Sequence, residues 1–128
     1  WLTANEFNEP TLFAPIATIA AFQQGEAWRK AMLHYVEQNS LFVEDYCRQH
    51  MPQIKPLRPQ ASFLVWLNCR QLGLTHDQLV DLFVNHAHLA LNDGEMFGQG
   101  GEGFMRMNVG TPRAILQQAL HQLWKALQ

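Results

Sequence analysis

Apolar positions along the chain first recur with a helical period and later with the shorter period of strands. Ala14 to Gln24 is an apolar stretch, interrupted at Gly25, and Trp28, Met32, Leu33, Val36, Leu41, Phe42, Val43 and Tyr46 follow at helical spacing. This predicts a helix, a break and a long helix ending near Arg48. Met51 to Pro59 carries Pro52, Pro56 and Pro59, which stop a helix and favour an extended connection. The continuous apolar run Phe63 to Leu67 predicts a strand over Ser62 to Cys69, covered on both faces.

Thr75 and Gln78 have the spacing of a capping box, and Leu79, Leu82, Phe83 and His86 continue at helical spacing. The prediction is a helix from Thr75 to about Ala87, with His86 on its apolar stripe. His88 to Leu91 reads as a short strand, Asn92 to Gly103 as a glycine-rich loop, and Phe104 to Val109 as an alternating strand. Thr111 and Pro112 read as the N-cap and first turn of a last helix, with Ile115, Leu116, Ala119, Leu120, Leu123, Trp124 and Leu127 as its apolar stripe. The order predicts an α+β fold, a small antiparallel or mixed sheet with helices packed on it. Residues 1–128 read as one domain, in which a helical segment over 1–50 leads into an α+β core over 51–128.

Composition narrows the functional classes. Charged residues make up 16% of the 128, with a formal net charge of −2. That is below the ~25% usual for soluble domains and suggests a face buried against something else. Lys and Arg nowhere cluster as a nucleic-acid surface requires, so nucleic acid is not expected as a partner. The apolar runs fall far short of the ~20 residues that span a bilayer, so no membrane segment is expected. Cys47 and Cys69 lie inside predicted elements and read as reduced thiols of a cytoplasmic protein. The chain begins at Trp1 without a signal-like segment, which reads as a domain cut from something longer.

The most informative segment for chemistry is Phe104-Met105-Arg106-Met107-Asn108-Val109. A period of two places Arg106 and Asn108 on one face and Met105, Met107 and Val109 on the other. An arginine held on a strand between packed neighbours suits bidentate carboxylate binding; a surface or salt-bridged arginine on an edge strand is the other reading. The glycine loop matches no phosphate-binding pattern, because no lysine follows it, a strand rather than a helix comes next, and Glu95 and Glu102 would repel phosphate. It reads instead as a loop flanking a substrate. A metal site from His86 and His88 with Asp93 and Glu95 lacks diagnostic spacing, and core or capping histidines fit better. A Cys-His nucleophile finds no activating group near either cysteine, and Lys30, Lys55 and Lys125 sit where lysines are ordinarily solvated.

The string Gly94-Glu95-Met96-Phe97-Gly98…Gly101-Glu102-Gly103-Phe104-Met105-Arg106-Met107-Asn108…Thr111-Pro112-Arg113 resembles the carboxy-terminal part of fold-type I pyridoxal-phosphate enzymes. It is most similar to the cystathionine β-lyase-like C–S lyase subgroup of the class I and II aminotransferase superfamily. Ala20-Ala21-Phe22…Gly25-Glu26-Ala27-Trp28, Tyr35-Val36-Glu37-Gln38-Asn39 and Pro59…Ala61-Ser62-Phe63-Leu64-Val65-Trp66-Leu67-Asn68-Cys69-Arg70…Gly73-Leu74 extend the resemblance in order over nearly the whole chain.

The resemblance implies the small-domain fold of aspartate-aminotransferase-like enzymes. It also implies that Arg106 binds the α-carboxylate of an amino-acid substrate, with Asn108 as a structural companion. Arg113 matches a recurrent family position without an assigned contact, and Asn68 stands where the subgroup usually has aspartate. The Schiff-base lysine, the aspartate at the pyridine nitrogen and the phosphate ligands have no counterpart here. The expectation is therefore a small domain that is not catalytic alone and binds no cofactor or metal by itself. Pyridoxal phosphate is expected only in a full-length homodimeric enzyme with a large catalytic domain. A stand-alone, non-catalytic binding or interaction module with the same fold is the competing expectation.

Overall fold

The structure, a computed structural model, describes residues 11–128, so the first ten residues of the helical segment expected over 1–50 lie outside it. The chain divides into two compact units between His34 and Tyr35. In the first, α1 (Phe13–Gln24) ends at Gly25, whose amide donates to the Ala21 carbonyl, and α2 (Glu26–His50) starts directly afterwards. The predicted break is thus a single residue. A side chain at Gly25 would collide with the Ala21 carbonyl, so the close turn requires glycine. Glu26 receives Arg29 at 2.7 Å and Lys30 at 3.6 Å, and the Arg29 hydrogen bond holds its carboxyl below the usual range. None of the α1 residues is buried.

The second unit carries a four-stranded antiparallel sheet in the order β1 (Lys55–Leu57), β2 (Leu64–Asn68), β4 (Phe104–Asn108), β3 (Asn92–Asp93). With its helices it forms an α+β fold, as the sequence predicts. Val65, Leu67, Met105 and Met107 are buried on one side of the sheet. Val36, Val43 and Cys47 of α2, Phe83, and Leu116, Leu120 and Leu123 of α4 (Arg113–Ala126) complete the core. Removing this apolar area from water is the main stabilising term, about 1.5–3 kcal/mol for each large side chain fully buried.

Several predicted elements differ in detail. The prolines 52 to 59 do not exclude pairing: Lys55, Pro56 and Leu57 form edge strand β1, where a missing proline N–H is tolerated. β2 is buried on one face rather than both, because Leu64, Trp66 and Asn68 remain half-buried on the side opposite the helices. The short strand expected over His88 to Leu91 is displaced to Asn92–Asp93.

The Thr75 capping box forms as predicted and opens α3 (His76–Asp81). The helix then widens into a π-turn over Leu82–His86, with the Ala87 amide reaching back to Leu82. The extra residue rotates the stripe, and His86 is exposed instead of lying on the apolar side. Thr111 does not cap α4; Pro112 stands at the N-cap without a side-chain hydrogen bond. Ile115 is exposed, leaving a narrower stripe than expected.

No described helix is long and apolar enough to cross a membrane. Cys47 and Cys69 are free and buried, and burial pushes both thiols up to about 12.

Candidate carboxylate-binding site

The strand alternation around Arg106 is as the sequence predicts: Met105, Met107 and Val109 are buried, while Arg106 and Asn108 point to the other face. β4 lies between β2 and β3, so Arg106 is on an interior strand and the edge-strand reading does not hold. Trp66 of β2 is its cross-strand partner on one side and Asn92 of β3 on the other. The Asn92 side-chain carbonyl accepts from Nη2 at 2.9 Å. Phe97 lies beneath the guanidinium, 4.2 Å from its ring centroid to Cζ.

Among the described residues no carboxylate pairs with Arg106, and its Nε is shielded from solvent without a hydrogen-bond acceptor. By contrast Arg29, Arg48 and Arg58 each pair with an acid at 2.6 to 2.7 Å. A half-buried guanidinium held by a neutral amide and an aromatic face keeps its full positive charge and spare donors. That is the state in which an anion binds most strongly.

The glycine loop is built as a closed ring. Gly94 and Gly101 meet backbone to backbone, so a side chain on either would collide with the other. The Gly94 amide donates to Phe104 O at 2.9 Å, and the Phe104 amide to Gly101 O at 3.1 Å. Residues Glu95–Phe97 make one 3-10 turn that carries Phe97 to Arg106. Arg70 ties the far side of the ring, donating to Glu102 O at 2.9 Å and Gly100 O at 3.1 Å, and stacks on Phe104.

A contact invisible in the sequence secures the near side: His76 at the start of α3 sits between Asp93, 3.2 Å from Nε2, and Glu95, 3.0 Å from Nδ1. The Glu95 contact lacks hydrogen-bond alignment. The imidazole and both carboxylates are half-buried, so screening keeps the contribution small.

Other candidates fall away or acquire structural roles. His86 meets Asp81 at 3.0 Å on the surface and His88 is exposed, and the described residues contain no His, Cys, Asp and Glu group arranged to hold a metal. The buried cysteines, with raised pKa values, are poor nucleophiles. Asn108 accepts from the Gly110 amide at 2.8 Å, which shapes the turn after β4, and Asn68 does the same for the Arg70 amide at 3.1 Å.

Arg113 acquires a definite contact. Its Nε donates to Asn39 Oδ1 at 2.7 Å, and its amide donates to the Tyr35 hydroxyl, also at 2.7 Å. The Asn39 amide in turn donates to Val109 O and Thr111 O, fixing the link from β4 to α4.

The described residues do not fit pyridoxal phosphate. Lys30, Lys55 and Lys125 are exposed rather than desolvated. The amides of Gly94, Glu95, Phe97, Gly98 and Gly101 are engaged within the loop, so they are not free to receive a phosphate.

No family model matches the chain. Cystathionine beta-lyase PatB of Bacillus subtilis is 35% identical over 126 residues, covering 98% of this chain and 33% of that protein. Protein MalY of Escherichia coli is 31% identical over 121 residues, covering 94% and 31%. The chain thus spans about a third of the length of the curated relatives it matches.

Among solved structures, a pyridoxal-phosphate-bound protein of Clostridium difficile 630 superposes with TM-score 0.85 at 35% identity, over 88% of this chain and 29% of that one. Cystalysin of Treponema denticola, which contains pyridoxal 5'-phosphate, gives 0.80 at 27%, over 84% and 27%. In sequence and in fold, the chain is a homologue of the cystathionine β-lyase-like C–S lyases and aminotransferases, matching the small domain of these pyridoxal-phosphate enzymes.

Proposed function

We propose that this chain is the substrate-carboxylate-binding small domain of a pyridoxal-phosphate-dependent aminotransferase or C–S lyase acting on amino acids. Arg106 is the residue that grips the α-carboxylate. The observation that carries this reading is the guanidinium itself: half-buried, positioned by Asn92 and Phe97, and without an acid partner among the described residues. A charge-assisted hydrogen bond from such a donor stabilises a bound carboxylate by about 1.5–3 kcal/mol.

Residues 1–128 act as one small domain of a cytoplasmic, homodimeric enzyme whose companion large domain holds the cofactor and supplies the lysine chemistry. The chain alone is not catalytic, since its three lysines are exposed rather than desolvated. Its contribution is orientation: fixing one end of the substrate limits how the reacting bond can turn.

The test is Arg106→Ala in the full-length protein that carries this chain. KM for amino-acid substrates rises about ten- to hundredfold, as loss of a charged hydrogen bond predicts, while cofactor absorbance is unaffected. An unchanged KM removes Arg106 from carboxylate binding.

A further inference from the structure

Beside Arg106, on the same open face of the sheet, lies a cleft of about 310 Å³ lined by Leu57, Trp66, Phe97, Phe104 and the loop residues Gln99 to Gly101. Three of these side chains are aromatic, and none of the lining residues carries a charge. The walls are ordered by ring contacts: Trp66 meets Phe97 edge to face at 5.3 Å and Phe104 at 6.2 Å. Leu57 completes the wall from β1, where it stands opposite Trp66.

Phe97 belongs to both features. Its ring carries the Arg106 guanidinium at 4.2 Å and meets Trp66 at 5.3 Å, so the cationic grip and the apolar cleft are consecutive along one short path. We infer that the cleft receives the side chain of the substrate whose carboxylate Arg106 holds, and that this side chain is apolar, aryl or bulky alkyl, rather than one ending in a second charged group. The inference rests on the carboxylate reading above and adds the class of side chain.

The physical reason is the lining. An apolar side chain placed there loses water contact and gains aromatic neighbours at no electrostatic cost. A terminal ammonium or carboxylate would give up hydration against Leu57, Trp66, Phe97 and Phe104, while the Arg70 guanidinium stacked on Phe104 already donates to Glu102 O and Gly100 O and Arg106 is taken by the first carboxylate. Discrimination therefore arises from rejection of the charged end as much as from attraction of the apolar one.

The experiment measures equilibrium binding of propionate, 3-phenylpropionate and glutarate to the full-length protein that carries this chain, by calorimetry or by displacement. The expected result is 3-phenylpropionate binding roughly tenfold or more tighter than propionate, the scale set by burying a phenyl group, with glutarate no tighter than propionate. Leu57→Gln, an exposed edge-strand change away from the guanidinium, removes most of the phenyl preference.

Trp66→Ala removes the preference as well; if circular dichroism shows it unfolded, Leu57→Gln alone decides. Equal affinity for propionate and 3-phenylpropionate, with both lost in Arg106→Ala, overturns the cleft and leaves the carboxylate grip standing. Propionate binding that survives Arg106→Ala overturns the grip itself, and the cleft assignment with it. Glutarate binding as tightly as 3-phenylpropionate overturns the apolar class.

Discussion

Phe97 supports the guanidinium of Arg106 from below at 4.2 Å, while Asn92 fixes it from the side at 2.9 Å. The arginine is thereby held in one orientation without being neutralised. Replacing Phe97 by Ala removes the ring from a half-exposed position. A cation–π contact of this exposure contributes about 0.5–1 kcal/mol, so KM for amino-acid substrates should rise roughly two- to fivefold with little change in melting temperature. Kinetics identical to the parent would show the stack to be incidental.

The neck of the glycine loop predicts a sharp positional contrast. Gly94→Ala and Gly101→Ala force backbone against backbone and should each cost several kcal/mol, on the order of a strained core substitution. Gly98 faces open space with φ at 101°, so Gly98→Ala meets only the backbone penalty, on the order of 1–3 kcal/mol. Urea unfolding of the three variants checks the ranking; equal losses would refute it.

The entrance to α4 depends on α2. Tyr35→Phe leaves the Arg113 amide without its hydroxyl acceptor and should cost about 1 kcal/mol, the usual value of a helix cap. Asn39→Ala strips partners from the Val109 and Thr111 carbonyls and from Arg113 together, and the penalty for stranding buried polar groups puts it at about 2–4 kcal/mol. Thermal melts that rank Tyr35→Phe as the worse of the two would contradict this account.

The buried thiols set an alkaline limit. A free thiol ionises near 9, whereas burial holds Cys47 and Cys69 up to about 12. Between those values the unfolded chain releases protons that the folded chain retains, so stability falls as pH rises through that window. The stability of Cys47→Ala should depend less on pH there. Native protein should react with a thiol reagent only as fast as it opens; rapid native labelling would be inconsistent with the burial.

His76→Gln should loosen the near side of the loop by freeing Asp93 and Glu95 from the imidazole. Faster hydrogen exchange at the Phe97 and Gly98 amides, with global stability shifted by no more than about 1 kcal/mol, is the expected signature. Unaltered exchange would mean that backbone bonds alone hold the turn.

The orientation of Arg106 was legible because strand alternation is local and the methionines on either side must face the core. Its partner Asn92 was not, since a two-residue strand leaves no periodic trace and its placement depends on pairing with β4. A regular helical repeat puts His86 on the apolar stripe, and a single π-turn rotates it off. The capping box at Thr75 is legible because both of its bonds lie within four residues. The Thr111-Pro112 pattern does not reveal the start of α4, because the hydrogen bond there comes from Tyr35, 78 residues before Arg113. His76 between two acids needed the loop to fold back onto α3, which no spacing announces.

The meeting of Gly94 with Gly101 also bears on how such a domain diversifies. Because the ring is pinned at its neck, its tip is joined to the strand that carries Arg106 through Arg70, which donates to Gly100 O and stacks on Phe104, and the neck itself keeps its backbone contact. The tip, through Gln99 and Gly100, borders the apolar cleft, while the neck preserves the register of β4. On the function proposed above, changes at the tip would retune which side chain is accepted and changes on β4 the grip on the carboxylate, so that the two properties become separately heritable.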